Sequence, residues 1–393
     1  MRDAARDAVR DMLPAPGPAR RLAMLAAVTL LMVMMAILAV STQRAAFTSD
    51  FAPRPMFPDL AERVNEASKI VVESRQRKVT VVRDAAAAGD DAVWRVEEKA
   101  GHPARAQMVK RTVVGLADLQ LAERRTAQPE WHRHLGLRAP EDKGAGVRVA
   151  VYDAEGNVMA ALIAGKLEGS AAIDGRGSIY VRRDGEAQSY VARGSFNLEQ
   201  RAANWVQTDV IDLPPGRVER VEVAPAGGAA FTVALADREA TVPETDAETD
   251  ADADAVPAYA IRDLDPALQP KTAYAVDGIG TALAGLTFTD VMAAEEVAFE
   301  APVVSRFFTR DGVVVSATAE KQGDRYLAVF TAEAVPGASE EAVAEARRIA
   351  ARLSPFAYQL TTFDGADLTR TLDAFTEPAG TGADDGVPVD LVE

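Results

Sequence analysis

The sequence predicts an α+β protein: an N-terminal transmembrane helix followed by two tandem, duplicated α+β modules with mostly antiparallel sheets. Three observations carry that expectation. Residues 22–40 run for 19 positions without a charge. Short β-branched runs, bounded by polar or Gly-Asp turns and separated by helical stripes, fill much of the remainder. The order of these runs in the first half of the chain then returns in the second. A length of 393 residues is enough for two modules, each with its own core.

The elements follow in chain order. Residues 1–21 read as a cytoplasmic N-terminus, with Arg2/Asp3, Arg6/Asp7 and Arg10/Asp11 at helical spacing until Pro14, Pro16 and Pro18 end the helix. The transmembrane helix is placed at 22–41; its apolar run would rise about 28 Å, close to the ~30 Å hydrocarbon core of a bilayer. A cleaved signal peptide has a shorter apolar region, about 7–15 residues, so the run reads as an uncleaved anchor. Arg2, Arg6, Arg10, Arg20 and Arg21 precede it, against Arg44 and Arg54 shortly after. That asymmetry puts the N-terminus in the cytoplasm and the C-terminal part in the periplasm of a single-pass protein of the bacterial inner membrane.

Residues 42–67 read as a linker whose proline-rich first part is an extended stalk. The first module, 68–215, opens with strands at 69–72, 78–82 and 92–96. Pro103 then introduces a helix with Val109, Val113 and Leu116 on one apolar stripe. Strands resume at 147–152, 158–163 and 179–181. In the second module, 216–376, the runs 218–223 and 231–235 repeat the first strand pair. Tyr259-Ala260-Ile261 stands for Trp94-Arg95-Val96, and Leu283-Ala284-Gly285-Leu286 for Leu116-Ala117-Asp118-Leu119. A last helix spans 339–353 with Val343, Ala346, Ile349, Ala350 and Leu353 on its buried face. Glu340 and Glu341 lie in its first turn, Arg347, Arg348 and Arg352 lie towards its end, and Pro355 stops it. Residues 377–393, rich in Gly, Asp and Pro, read as a disordered tail.

Composition removes several function classes. Lys plus Arg number 43 against 59 Asp plus Glu, a net charge of −16, which argues against nucleic-acid binding. The absence of cysteine excludes disulfides, thiolate zinc sites and cysteine nucleophiles. Residues 243–255 hold six acids and no base but lack the glycine turn and twelfth-position Glu of an EF-hand, so they read as a solvated acidic loop rather than a calcium site. Trp131-His132-Arg133-His134, with Glu130 beside it, would place two histidines on one face of a strand. Only His102 or carboxylates remain to complete a metal set. Residues 277–283 imitate the start of a dinucleotide loop, yet Leu283 takes the third small position and no βαβ context precedes it. The glycines there are expected to serve helix entry. No G-x-S-x-G elbow, P-loop or H-E-x-x-H motif occurs. No catalytic, cofactor-binding or metal residue is nominated, and the chain is expected not to be an enzyme.

A set of ordered motifs adds a resemblance. Met56-Phe57-Pro58-Asp59-Leu60, Trp94-Arg95-Val96 and Gly101-His102-Pro103-Ala104 precede Leu121-Ala122-Glu123-Arg124-Arg125-Thr126 and His134-Leu135-Gly136-Leu137. Leu162-Ile163-Ala164-Gly165-Lys166, Ile179-Tyr180-Val181-Arg182-Arg183, Arg310-Asp311-Gly312 and Phe356-Ala357-Tyr358-Gln359-Leu360 follow. Together, over roughly residues 57–375, they resemble the bacterial domain of unknown function 4340 family, with Gly-His-Pro where the family usually reads Gly-Tyr-Pro. The resemblance implies single-span, envelope-exposed proteins associated with ABC transporters of the gliding-motility auxiliary type, without established enzymatic activity. The expected function is therefore a non-enzymatic, membrane-anchored periplasmic accessory component of an ABC-type transport system, with transporter subunits as partners. The alternative is a periplasmic ligand-binding or sensor module with its pocket between the two modules.

Overall fold

A computed structural model of the protein describes residues 27–35, 51–84, 93–168, 177–236 and 258–379. Strands dominate, because β-branched runs with one apolar face find antiparallel neighbours. In β2 (Lys69–Glu73) and β3 (Lys78–Arg83), Ile70 pairs with Val81 and Val72 with Val79, and all four are fully buried. These strands belong to a ten-stranded sheet with β1 (Arg54–Pro55), β4 (Trp94–Val96), β5 (His102–Pro103), β6 (Gln120–Arg124), β7 (Val147–Tyr152), β8 (Val158–Glu168), β9 (Ser178–Arg183) and β10 (Ser189–Arg193). A nine-stranded sheet holds β11 (Asp209–Ile211), β12 (Val218–Pro225), β13 (Phe231–Leu235), β14 (Tyr259–Arg262), β16 (Leu286–Ala293), β17 (Val303–Thr309), β18 (Val313–Gln322), β19 (Arg325–Ala334) and β20 (Phe356–Leu360). A third, two-stranded sheet joins β15 (Leu268–Pro270) to β21 (Thr376–Pro378).

The order of the first sheet is β1-β6-β10-β9-β8-β7-β2-β3-β4-β5, and that of the second is β11-β16-β20-β19-β18-β17-β12-β13-β14. Each strand of the second sheet thus sits where the strand ten places earlier sits in the first. The exception is β15, which pairs with β21 instead of extending its sheet as β5 does. Helix α1 (Ala106–Ala117) joins β5 to β6, and α2 (Ala273–Gly280) joins β15 to β16. The second half adds α3 (Glu340–Leu353) between β19 and β20, and α4 (Thr362–Leu368) after β20. Ser339 caps α3 by accepting the Ala342 N–H at 3.2 Å, and Ala342, Ala346, Ile349 and Leu353 form its buried face.

One segment ties the two sheets together. On its first-sheet side the Arg105 N–H donates to the Trp205 carbonyl (2.7 Å) and the Gln207 N–H to that of Pro103 (2.9 Å). On its second-sheet side the Phe288 N–H donates to the Thr208 carbonyl (3.2 Å), and β11 pairs with β16. Trp205 is fully buried and donates its indole N–H to the Glu199 carbonyl at 2.9 Å. A single apolar cluster runs from Ile70 and Leu121 in the first sheet to Phe307 and Phe330 in the second.

Several expectations change. Of the predicted span, residues 27–35 are described; these nine helical residues would rise about 14 Å, half of a bilayer core. Among the described residues no helix is long and apolar enough to cross a membrane. Where a transmembrane helix followed by two α+β modules was expected, the described residues form mostly antiparallel sheet, in three sheets with few helices and no membrane-spanning helix. The second part of the expected stalk is packed into the body: β1 pairs with β6, the Met56 N–H donates to the Leu119 carbonyl at 2.8 Å, and Met56 is fully buried. Asp209–Ile211, assigned by sequence to the first module, is the edge of the second sheet. The chain stays paired through Pro378, past the residue 377 at which the tail was expected to begin. Residues 1–21, the acidic run 243–255 and residues 380–393 lie outside the described residues.

Candidate functional site

The seam between the sheets is built around His102 of Gly101-His102-Pro103. It lies on β5, and its ring meets those of Phe356, Phe288 and Tyr358 of the second sheet edge-on, at 4.8, 5.3 and 6.0 Å between centroids. His102 is 6% exposed and donates from Nδ1 to the Pro103 carbonyl at 3.2 Å. Burial pushes its pKa down to about 4, with the positive charges of Arg95 and Arg352 acting in the same direction. The imidazole is therefore neutral at neutral pH. Burial likewise pushes the Tyr358 hydroxyl up, and it has no hydrogen-bond partner among the described residues. Lys99 and Asp290 form an ion pair across the same seam. Aromatic rings thus fill the place where a ligand pocket between the modules was expected.

Open space lies instead beside the first sheet. A groove of about 530 Å³ runs between α1 and the turn Val64–Glu66, with Trp94 and Arg83 among its lining residues. Val109, Val113 and Val114 line it from α1, together with Lys110. The equivalent place in the second half is closed. Tyr259 is buried there, its hydroxyl donating to the Val218 carbonyl and its N–H to Asp277 Oδ1, both at 2.8 Å. A Cβ on Gly280 would lie 2.3 Å from the Tyr259 ring, so α2 sits flush on that ring. A Cβ on Gly278 would meet the Asp367 carboxylate at 3.2 Å. The glycines of the dinucleotide-like stretch therefore permit close packing of the helix body, a role different from the helix entry expected of them.

The two histidines of the Trp131–His134 run do not share a strand face. They lie on the helical turn His132–Leu135, where positions two apart diverge. His132 is buried and donates from Nε2 to the Ala187 carbonyl at 2.8 Å, whereas His134 is exposed and accepts from Arg133 Nε at 3.1 Å. His102 is at the seam instead. Among the described residues no group of three or more His, Cys, Asp or Glu side chains has the proximity to hold a metal ion. The turn belongs to a strap, residues 125–146, covering part of the outer face of the first sheet. Leu137 and Ala139 pack on Ile163 there, and the buried Arg182 donates from Nε to the Leu137 carbonyl at 2.9 Å.

Residues 94–300 match the family model described as Domain of unknown function (DUF4340), just over half of the chain. The chain belongs to that family. The DUF4340 match begins on Trp94 and takes in His102, α1, the strap, the tying segment and Phe288, while Phe356 and Tyr358 lie beyond it. No curated protein and no solved structure matches the chain. Sequence reasoning missed both the tying segment, which lies inside the DUF4340 match, and the cationic rim of the groove, of which Lys110 lies inside it and Arg83 before it. Lys110 and Arg83 carry no spacing signal, since only the fold brings α1 beside β3.

Proposed function

We propose that the chain is a non-enzymatic accessory component of an ABC-type transport system, acting at the bacterial inner membrane with its two-sheet body on the periplasmic side. The supporting observation is the joining of two equivalent sheets in a fixed orientation by Trp205, Gln207 and Thr208, which makes a preformed body for docking. A preformed surface loses little conformational entropy on binding. The outer face of the second sheet supplies contact chemistry. Phe308 is half-buried there, with the guanidinium of Arg220 4.0 Å and that of Arg306 5.2 Å from its ring centre. Aromatic and arginine side chains of this kind commonly carry interface energy. The family resemblance supports transporter subunits as the partners.

Affinity purification of the full chain from membranes is the test. The ATPase and permease subunits of one ABC transporter should co-purify, and Phe308→Glu should lose them while costing no more than about 1–2 kcal/mol, so that the variant stays folded. Purifications without transporter subunits would overturn the reading. For the location, an export-requiring reporter fused at the C-terminus should be active; a silent, stably produced fusion would contradict it.

A further inference from the structure

The groove beside α1 differs chemically from the surface around it. In a chain of net charge −16, its lining among the described residues holds two cations, Arg83 and Lys110, and no acid. Lys110 is exposed on α1, and Arg83 donates from Nη1 to the Asn65 carbonyl at 2.9 Å, which fixes its guanidinium at the rim. Apolar side chains line the same groove: Trp94, half-buried, and Val109, Val113 and Val114, the last 37% exposed. The matching position in the second half is filled by Tyr259 under Gly280, so the shared framework does not require an opening here. A neighbouring hollow of about 770 Å³ shares Asn65 and Arg83 but is lined by Asp84, Asp153 and Glu155 as well as Lys69. Those carboxylates disfavour an anion on that side and leave the Lys110 side as the place for one.

We propose that this groove binds a single-chain anionic amphiphile, with its hydrocarbon chain against Trp94 and the α1 valines and its carboxylate between Lys110 and Arg83. The volume lies within the range of small-ligand sites, which combine mostly apolar walls with a few placed polar groups. The valines and the indole reward an alkyl chain per methylene buried. The cations select the head by charge-assisted hydrogen bonding. This assignment does not depend on the transport role: it stands or falls on the groove.

The test is calorimetric titration of the full chain, without detergent, with decanoate, decanol and decyltrimethylammonium. Decanoate should saturate one site, decanol should bind about tenfold more weakly, and the cation should not bind. Lys110→Glu, a change on the exposed side of α1, should weaken decanoate about tenfold or more and leave decanol unchanged. Val114→Trp, which fills the groove from its exposed wall, should remove binding of both. Equal affinity for all three probes, no saturation by decanoate below its micelle concentration, or unchanged decanoate binding in Lys110→Glu would each overturn the proposal. So would binding of a peptide of alternating Leu and Glu where decanoate fails, because the groove would then be a peptide dock.

Discussion

Trp94 and Tyr259 occupy corresponding strands of the two sheets, β4 and β14, yet only one of them is sealed. Tyr259 is 6% exposed beneath Gly280, with its hydroxyl and its N–H both satisfied. Trp94 faces a groove. The outer faces differ as well: the strap 125–146 covers part of the first sheet, whereas only residues 294–302 connect the corresponding strands β16 and β17. The difference teaches that this architecture holds its strand order while its connections vary. Those connections decide which surfaces are closed as core and which stay open for binding.

Substitutions at the two aromatics probe that contrast most strongly. Tyr259→Ala should cost about 3–5 kcal/mol, since it empties a sealed position and leaves the Val218 carbonyl unpaired. Trp94→Ala should cost less, about 1–2 kcal/mol, because part of the ring already faces open space. Chemical denaturation of both variants checks this, and equal losses would erase the distinction between a closed and an open half.

The seam gives the next largest effect, and it depends on pH. His102 has a folded pKa of about 4 against an ordinary value of 6.5, so between these limits the unfolded chain binds more protons. Its contribution is complete above pH 6.5 and is lost as pH falls towards 4, by about 3 kcal/mol in all. Carboxylates titrate in the same range, so the informative quantity is the difference between the wild-type profile and that of His102→Leu. That difference should shrink steadily from pH 6.5 to 4, and a constant difference would mean the imidazole is not buried neutral.

A smaller loss is expected from Gly280→Ala. The added Cβ would lie 2.3 Å from the Tyr259 ring and should cost about 1–3 kcal/mol in melting experiments. The smallest effect belongs to the strap. His134→Gln should change stability by less than about 0.5 kcal/mol, because the ring is exposed. His132→Gln should cost about 1 kcal/mol more, because His132 is buried and bonded to Ala187.

Much of the framework was legible in the sequence because it is local. β-Branched alternation marks β2, β3, β12 and β13, and the serine cap, the apolar spacing and Pro355 mark α3. What escaped depends on partners distant in the chain. Arg54 and Pro55 look like linker, yet they find an edge to pair with at Gln120 and Leu121. Trp205 to Thr208 carry no pattern that reveals hydrogen bonds to Pro103, Arg105 and Phe288. On a strand the two histidines of the Trp131–His134 run would share a face, but the helical turn they form separates their side chains. The glycines at 278 and 280 share the spacing of a phosphate loop, and only the position of Tyr259 and Asp367 shows what they accommodate. The groove was illegible for the same reason: its chemistry comes from Lys110 on a helix and Arg83 on a strand that lie 27 residues apart.

Differential scanning calorimetry of the full chain tests the central claim, that two equivalent sheets form one body through the segment around Trp205 and the seam at His102. The account predicts a single cooperative transition with equal calorimetric and van't Hoff enthalpies. Two separable transitions, each melting one half of the chain, would contradict it.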